Sequence, residues 1–318
     1  MKRTKARVLI AALIAALLLP GCSLFKPTPV SLVNAALTNI KKSKSAAVHA
    51  DIDADAALTY EALNLSLDLT IGTGIDMEMT RDPQRSKGTA DLNIGLMGQE
   101  QTIKGTFFTD KNEDNSRTTY IKWGDGNWKQ KTEKSDESEE SLENSTGLKG
   151  LPNSIAQGIA VMTAISDKSV QAELKKELVP INGRDAYQIT CTIPGPLLKK
   201  LMESRGMLDK KGNIDLSKID WDNTAVPSEI YIYKDKKLPA RIRLDCKDAG
   251  AQMLGAALED SLKDMPVEGL GVELRSCVVD LTFDRYNEIE PIEIPQEAMG
   301  AEEAEDLMPG LDDILSGL

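Results

Sequence analysis

Much of the chain alternates between apolar and polar residues with a period of two, which is the pattern of a half-buried strand. Between residues 48 and 56, valine, isoleucine and alanine at even positions alternate with histidine and aspartate at odd positions. Residues 63 to 71 repeat the pattern with leucine and isoleucine at odd positions. Shorter alternating segments follow at 89–97, 102–109, 118–123 and 128–132. The pattern predicts six successive strands joined by tight turns, an antiparallel meander.

Helical periodicity interrupts the strands at four places. Residues 31–45 form an amphipathic pattern with Ser31 as the expected N-cap, and residues 151–165 are apolar on most of the helical circumference. Shorter helices are predicted at 197–203 and 249–262. Further strands are predicted at 169–174, 185–193, 228–233, 240–246 and 272–283. The whole pattern indicates an α+β fold with about eleven strands and four or five helices.

The first 22 residues have the character of a secretory leader. Four basic residues precede the apolar run Val8–Leu19, which is shorter than the roughly 20 residues that a membrane-spanning helix needs. The sequence Leu19-Pro20-Gly21-Cys22 resembles a bacterial lipobox. The resemblance implies cleavage between Gly21 and Cys22 and a diacylglycerol on the Cys22 thiol. A conventional signal peptide with a chance cysteine is the alternative. We therefore expect a protein anchored by lipid on the extracytoplasmic face of the cell membrane.

Composition narrows the set of partners. The 318 residues carry a formal net charge of -12, and aromatic residues make up only 4% of the chain against 41% hydrophobic residues. A strongly acidic surface disfavours nucleic acid and anionic headgroups as partners. The shortage of aromatic rings argues against a sugar-binding platform and indicates an aliphatic interior. We predict no nucleic-acid partner.

No catalytic or metal-binding motif is present in the sequence. His49 is the only histidine, and neither a GxSxG nor an HExxH motif nor a glycine-rich phosphate loop occurs. Asp51, Asp53 and Asp55 have the spacing that opens a calcium loop, but Ala56 stands where that loop needs glycine. Spacing of two on a strand places the three carboxylates on one solvated face, and a weak cation site is the alternative interpretation. We predict no enzyme, no catalytic residue, no metal site and no cofactor.

Three cysteines follow Cys22, and each falls on the apolar side of a predicted strand. If the strand 240–246 pairs with the strand 272–283, Cys246 and Cys277 lie on the same face of neighbouring strands. A disulfide between them and buried free thiols are both compatible with this placement, and a disulfide leaves Cys191 unpaired. A metal site is not expected, because no histidine and no CxxC spacing accompanies them.

Two acidic segments lie outside the periodic pattern. The polar run 131–147 predicts a mobile loop. After Arg285 the chain has no basic residue, and in the tail 299–318 Leu307, Leu311, Ile314, Leu315 and Leu318 recur at helical spacing. A helix that packs back on the domain, a docking peptide for a partner and a lid are the alternatives for this tail.

The expected organisation is a signal peptide (1–21), a lipidated cysteine and short tether (22–29), one folded domain (30–298) and an acidic tail (299–318).

The element order, the turn Pro180–Tyr187 and the closing segment Glu290–Pro295 together resemble the LolA/LppX/LprG-like superfamily of bacterial lipoproteins. The resemblance covers nearly the whole chain after the leader. It implies a strongly curved antiparallel sheet, an unclosed half-barrel of about 11 strands wrapped around helices. It offers no catalytic motif to carry over. Characterised members hold lipids or lipoproteins between sheet and helices.

We therefore expect a non-enzymatic module that binds an acyl chain or another hydrophobic ligand between the sheet and the helices. The alternative is an envelope interaction or sensing lipoprotein with a filled core, which acts through protein partners that meet its acidic loop and tail. A cavity of about 300–1,000 Å³, the usual size of small-molecule sites, distinguishes the two. The residues predicted to line the cavity are Leu65, Leu67, Leu69, Ile155, Ile159 and Met162.

Overall fold

The computed structural model describes residues 26–60, 65–134, 158–159, 161–203, 219–262 and 270–307. Gly21, Cys22 and Ile155 lie outside the described residues, as do most of the loop 131–147 and the end of the tail, 308–318. The central element is a single sheet of twelve strands. In chain order they are β1 (Ser45–Tyr60), β2 (Leu65–Arg81), β3 (Gln84–Leu96), β4 (Gln99–Lys111), β5 (Ser116–Trp123), β6 (Lys129–Lys134), β7 (Ala172–Ile181), β8 (Arg184–Pro194), β9 (Ala225–Tyr233), β10 (Pro239–Asp245), β11 (Leu270–Asp284) and β12 (Glu302–Glu303).

The strand order is β12-β6-β5-β4-β3-β2-β1-β11-β10-β9-β8-β7. Neighbours are antiparallel, except that β12 runs parallel to β6. The pairing of β1 with β11 joins the N-terminal meander to the C-terminal one. Since β7 and β12 are at opposite ends of the order and do not pair with each other, the described sheet is open. This confirms the predicted unclosed antiparallel sheet.

Helices cover part of the sheet. Those within the described residues are α1 (Pro29–Ile40), α2 (Gly195–Glu203), α3 (Lys247–Leu262) and α4 (Gln296–Met299), with 3₁₀ turns at Met162–Ser166 and Trp221–Asn223. Among the described residues, no helix is both long and apolar enough to cross a bilayer.

The first helix begins earlier than the pattern predicts. Thr28 is the N-cap, and Pro29 occupies the first turn, where a missing N–H costs nothing. Ser31, the predicted N-cap, is the third helical residue. Its backbone N–H donates to Thr28 Oγ1 at 3.2 Å, and the Thr28 N–H donates to Ser31 Oγ at 2.9 Å. The prediction of Ser31 was wrong because the two residues cap the helix reciprocally, and either alone satisfies the N-cap preference.

We define the inner face of the sheet as the face that carries Val48 and Ala50 on β1. The hydrophobic core covers one half of this face. There α1 buries Val33 and Ala36 in the same hydrophobic core as the inner side chains of β8–β11. Tyr286, only 2% exposed, donates a hydrogen bond from its hydroxyl to the Pro239 carbonyl at 2.9 Å. Because the Tyr286 ring is buried and its hydroxyl is hydrogen-bonded, it holds the segment after β11 against β10.

The outer face, which carries His49 and Asp51 on β1, is covered by ion pairs between strands. The Arg241 guanidinium binds the Asp280 carboxylate across β10 and β11, with Nε 2.8 Å from Oδ1. The Arg275 guanidinium lies 2.7 Å from an Asp68 carboxylate oxygen and 3.6 Å from an Asp55 oxygen. The alternating carboxylates of β1 therefore lie on a charged, largely solvated surface.

Part of the predicted tail belongs to the sheet. Residues Glu302 and Glu303 pair with Lys129 and Gln130 of β6. The Trp123 indole N–H donates to the Leu307 carbonyl at 2.7 Å, so the chain is tied down on both β5 and β6. The short strand β12 raises the strand count above the predicted eleven, because parallel pairing of two residues leaves no periodic signal in the sequence.

Candidate hydrophobic-ligand site

An apolar cavity of about 600 Å³ lies between the inner face of the sheet and the helices α2 and α3. The strands β1, β2 and β11 form its floor, the ends of β8, β9 and β10 contribute one side, and Gly158 and Val161 approach from the mid-chain segment. The cavity adjoins the filled core, since Leu281 belongs to both.

Small side chains create the space. On β1, three of the four inner positions that face the cavity carry alanine, at Ala50, Ala54 and Ala56, where a packed strand would normally carry valine or isoleucine. The helix α3 faces the cavity with Ala249 and Gly250. Because alanine fills little of the space between sheet and helix, this row leaves a void that native packing otherwise avoids.

Glycine allows the covering elements to approach closely. A Cβ on Gly250 would lie 2.9 Å from Leu274 Cδ2, and one on Gly158 would lie 2.1 Å from Leu281 Cδ1. Both distances are shorter than van der Waals contact, so a larger residue at either position requires a side chain of β11 to move. The two glycines thus set how close the roof lies to β11.

The lining offers almost no hydrogen-bonding group. Of the described residues that line the cavity, Thr73 supplies the one hydroxyl and none carries a charge. A charged or strongly polar group buried here would lose its hydration without compensation. The chemistry of the wall therefore suits an aliphatic group.

One side of the cavity is open. Ile52 is 37% exposed and Ile71 is 42% exposed, although both lie on the inner face and line the cavity. The cavity extends along β1 from Ala50 to Ala56, which corresponds to about 20 Å at the rise of a β-strand. The acyl chains of one leaflet span half of the ~30 Å hydrocarbon thickness of a bilayer. The cavity is therefore longer than the span of such a chain.

The predicted lining residues lie in three places. Leu69 lines the cavity. Leu65 and Leu67 are on the same face of β2 but nearer the end of the hairpin, beyond the lining, and Leu65 is 45% exposed. Ile159 and Met162 are completely buried in the core, and their neighbours Gly158 and Val161 reach the cavity instead.

Sequence reasoning missed the roof of the cavity. Leu198 and Leu201 of α2 and Met253 of α3 line it. The available signal was the segment 249–256, in which alanine and glycine recur among Met253 and Leu254. A helix so rich in small residues covers a surface without filling the space beneath it.

Two thiols are part of the wall. Cys246 and Cys277 lie opposite each other, with the Cys246 N–H donating to the Cys277 carbonyl at 2.7 Å, as the predicted pairing of their strands requires. Both are free thiols in this structure, and so is Cys191. Burial raises the pKa of Cys246 to about 12 and raises that of Cys277, so both stay protonated at neutral pH and act as small apolar groups.

A different site surrounds His49 on the outer face. Its Nδ1 lies 2.7 Å from an Asp76 carboxylate oxygen and its Nε2 lies 2.8 Å from one of Asp51. Burial lowers the pKa of His49, but the hydrogen bonds and charges of the two carboxylates outweigh it and raise the pKa above the usual value. The imidazole borders a depression of about 790 Å³ on this face, which both apolar and charged side chains line. Within the described part of the chain, no three His, Cys, Asp or Glu side chains converge to hold a metal ion.

Comparison with known protein families finds no matching family model and no matching curated protein. Among solved structures, the chain is similar to a DUF1329 family protein from Desulfovibrio piger, with 10% sequence identity over 82% of this chain and 94% of that chain. The TM-score of 0.22 is too low to carry an argument about fold or function. The resemblance to the LolA/LppX/LprG-like superfamily stays a prediction.

Proposed function

We propose that this protein is an extracytoplasmic lipoprotein that binds an acyl chain or a comparable aliphatic ligand without transforming it. The observation that carries the proposal is the cavity of about 600 Å³, which lies within the size range of small-molecule sites and has an uncharged, aliphatic wall. The alternative of an envelope protein with a filled core predicts no such space. The cavity therefore favours the ligand-binding function.

Affinity would come from apolar burial. Each methylene removed from water contributes about 0.8 kcal/mol, so a chain that extends along the cavity gains enough to offset the entropy of binding. The polar end of the ligand has no partner in the wall apart from Thr73 and would stay at the open side, beside Ile52 and Ile71.

The lipid anchor on Cys22 is part of the proposal. The lipobox-like Gly21-Cys22 sequence and the LolA-like order of elements support it. Because α1 begins at Pro29, only a few residues would separate the acylated cysteine from the folded domain. The cavity would then stay close to the membrane that supplies the ligand.

Native mass spectrometry of the secreted chain with Cys22→Ser, purified from cells and then extracted with organic solvent, tests the proposal. We expect an additional mass that extracts as a lipid. Ala54→Trp places an indole in the cavity and should abolish this mass. Asp53→Trp adds the same indole one residue earlier, on the outer face, and should retain it. A bare protein mass that persists after incubation with envelope lipids would rule out ligand binding.

A further inference from the structure

Two apolar side chains in contact with water lie where the described part of the hairpin β1–β2 stops and in the turn of the hairpin β3–β4. Among the described residues, large hydrophobic side chains that are well exposed include Leu65 (45%) and Met97 (68%), which lie near these ends. The two ends are adjacent, since Leu69 pairs with Leu96 and the Met97 N–H donates to the Asp68 carbonyl at 3.1 Å. The described part of β2 extends beyond this point by the four residues 65–68, about 13 Å.

Met97 is unusual for its position. The two-residue connection Met97-Gly98 has positive φ at both residues, 55° and 82°, as in a type I′ turn. Such turns favour asparagine, aspartate or glycine at the first position, because glycine has no Cβ and the short polar side chains of the other two tolerate positive φ, whereas a longer side chain is strained there. At the opposite end of the sheet, the turn Asn182-Gly183 has φ of 49° and 72° and obeys this preference. Conformation and water both disfavour methionine at position 97, which points to a functional reason for it.

An apolar row connects this end to the cavity. Leu65, Leu67, Leu69 and Ile71 occupy successive inner positions of β2, and the last two line the cavity. No charged residue interrupts the row. The nearby carboxylate of Asp68 lies on the outer face, where Arg275 binds it at 2.7 Å.

We propose that the surface formed by the exposed Leu65 and Met97 and the adjoining Leu67 docks into the surface of a phospholipid bilayer and forms the entry by which an apolar ligand reaches the cavity. A bilayer is the partner that these residues fit, because Leu65 and Met97 are aliphatic and exposed, and because the inner row from Leu65 to Ile71 leads to the cavity without a charged residue. A ligand that leaves a membrane along this row never has to cross water. Since the contact is apolar, it should depend little on salt. The proposal extends the proposed function, but docking does not require an occupied cavity.

Site-specific quenching tests the docking. A fluorescent probe is attached at Met97→Cys, or at Asn182→Cys as the matched turn at the other end, in the full chain with Cys22→Ser. The labelled protein is mixed with phosphatidylcholine vesicles, either with or without a nitroxide-labelled lipid as the quencher. We expect quenching at position 97 several-fold stronger than at position 182, unchanged by added salt. Equal quenching at the two positions, or none, would overturn the docking surface and favour a protein partner for these hairpins.

Met97→Asn separates docking from folding. Asparagine tolerates positive φ, so we expect the thermal midpoint to stay the same or to rise. Transfer of a fluorescent fatty acid from the same vesicles to the protein should slow several-fold, whereas binding of that fatty acid added directly in solution should not change. Unaltered transfer would contradict the entry. Loss of docking with retained fatty-acid binding leaves the proposed function intact, and quenching at position 97 without fatty-acid binding contradicts only the proposed function.

Discussion

The inner face of the sheet is filled at one end and open at the other. Near the start of β1, Val48 is 3% exposed and belongs to the same core as α1, whereas further along the same strand Ile52 is 37% exposed beside the cavity. Both residues belong to one alternating row of one strand. The comparison shows that alternation selects the face of a side chain, and that the covering element decides whether the side chain is buried.

The first test of this difference removes one large side chain from the filled end of the inner face and one from the open end. Phe283 is 1% exposed in the filled end, and its replacement by alanine should lower the free energy of unfolding by about 3–5 kcal/mol. Ile71 is 42% exposed in the open end, so Ile71→Ala should cost less than about 1 kcal/mol. Urea unfolding measures both. Equal losses would show that the open end is packed in solution.

Enlarging an alanine gives the converse test. Ala36 is 0% exposed on the buried face of α1, so Ala36→Leu should destabilise by about 1–3 kcal/mol through overpacking. Ala54 borders the cavity, where Ala54→Leu adds apolar contact in free space and should be neutral or stabilising by up to about 1 kcal/mol. Chemical denaturation of both variants checks the sign. A large destabilisation by Ala54→Leu would argue against the cavity.

The cover of the filled end depends on the capping of α1. Thr28→Ala removes the hydroxyl that accepts from the Ser31 N–H, and should cost about 1 kcal/mol. Thr28→Asn retains an N-cap acceptor and serves as the control. Thermal unfolding should show a lower midpoint for the alanine variant and nearly the original midpoint for the asparagine variant.

The smallest effect concerns His49, far from the cavity on the outer face. The carboxylates of Asp76 and Asp51 raise its pKa in the folded protein above the ordinary value of about 6.5. The stabilisation by protonated His49 is therefore complete below about pH 6.5 and is lost as the pH rises through the folded pKa. Since His49 is the only histidine, an NMR titration resolves it directly. Asp76→Asn should lower the pKa, and a wild-type value below 6.5 would contradict the paired geometry.

The periodic elements could be predicted because their signal is local. Alternation predicted the long strands β1 and β2 and the successive strands β5 and β6, and the predicted pairing of β10 with β11 is present. The strand β12 could not be predicted, since two residues pair with β6 only where the fold brings them together. The N-cap was misplaced by three residues because Thr28 and Ser31 have equivalent side chains.

The candidate site was predicted as a region, and most of its residues were not. Leu69 was placed on the inner face by alternation alone, and it lines the cavity. Ile159 and Met162 lie in a segment whose helical pattern is apolar on most sides, and the pattern does not say which side meets the core. Their neighbours Gly158 and Val161 face the cavity because α1 and the sheet already enclose the other side.

The sequence by itself determined which side chains share a face, because the strand period of two is a property of the backbone. It also determined the strong acidity and the presence of a single histidine. Only the tertiary structure decided where the inner face is covered. The cavity exists because α1 packs closely over one end of the sheet, while alanines and glycines hold α3 over the other end without filling it. Packing of this kind depends on distances between elements far apart in the chain, which no local pattern encodes.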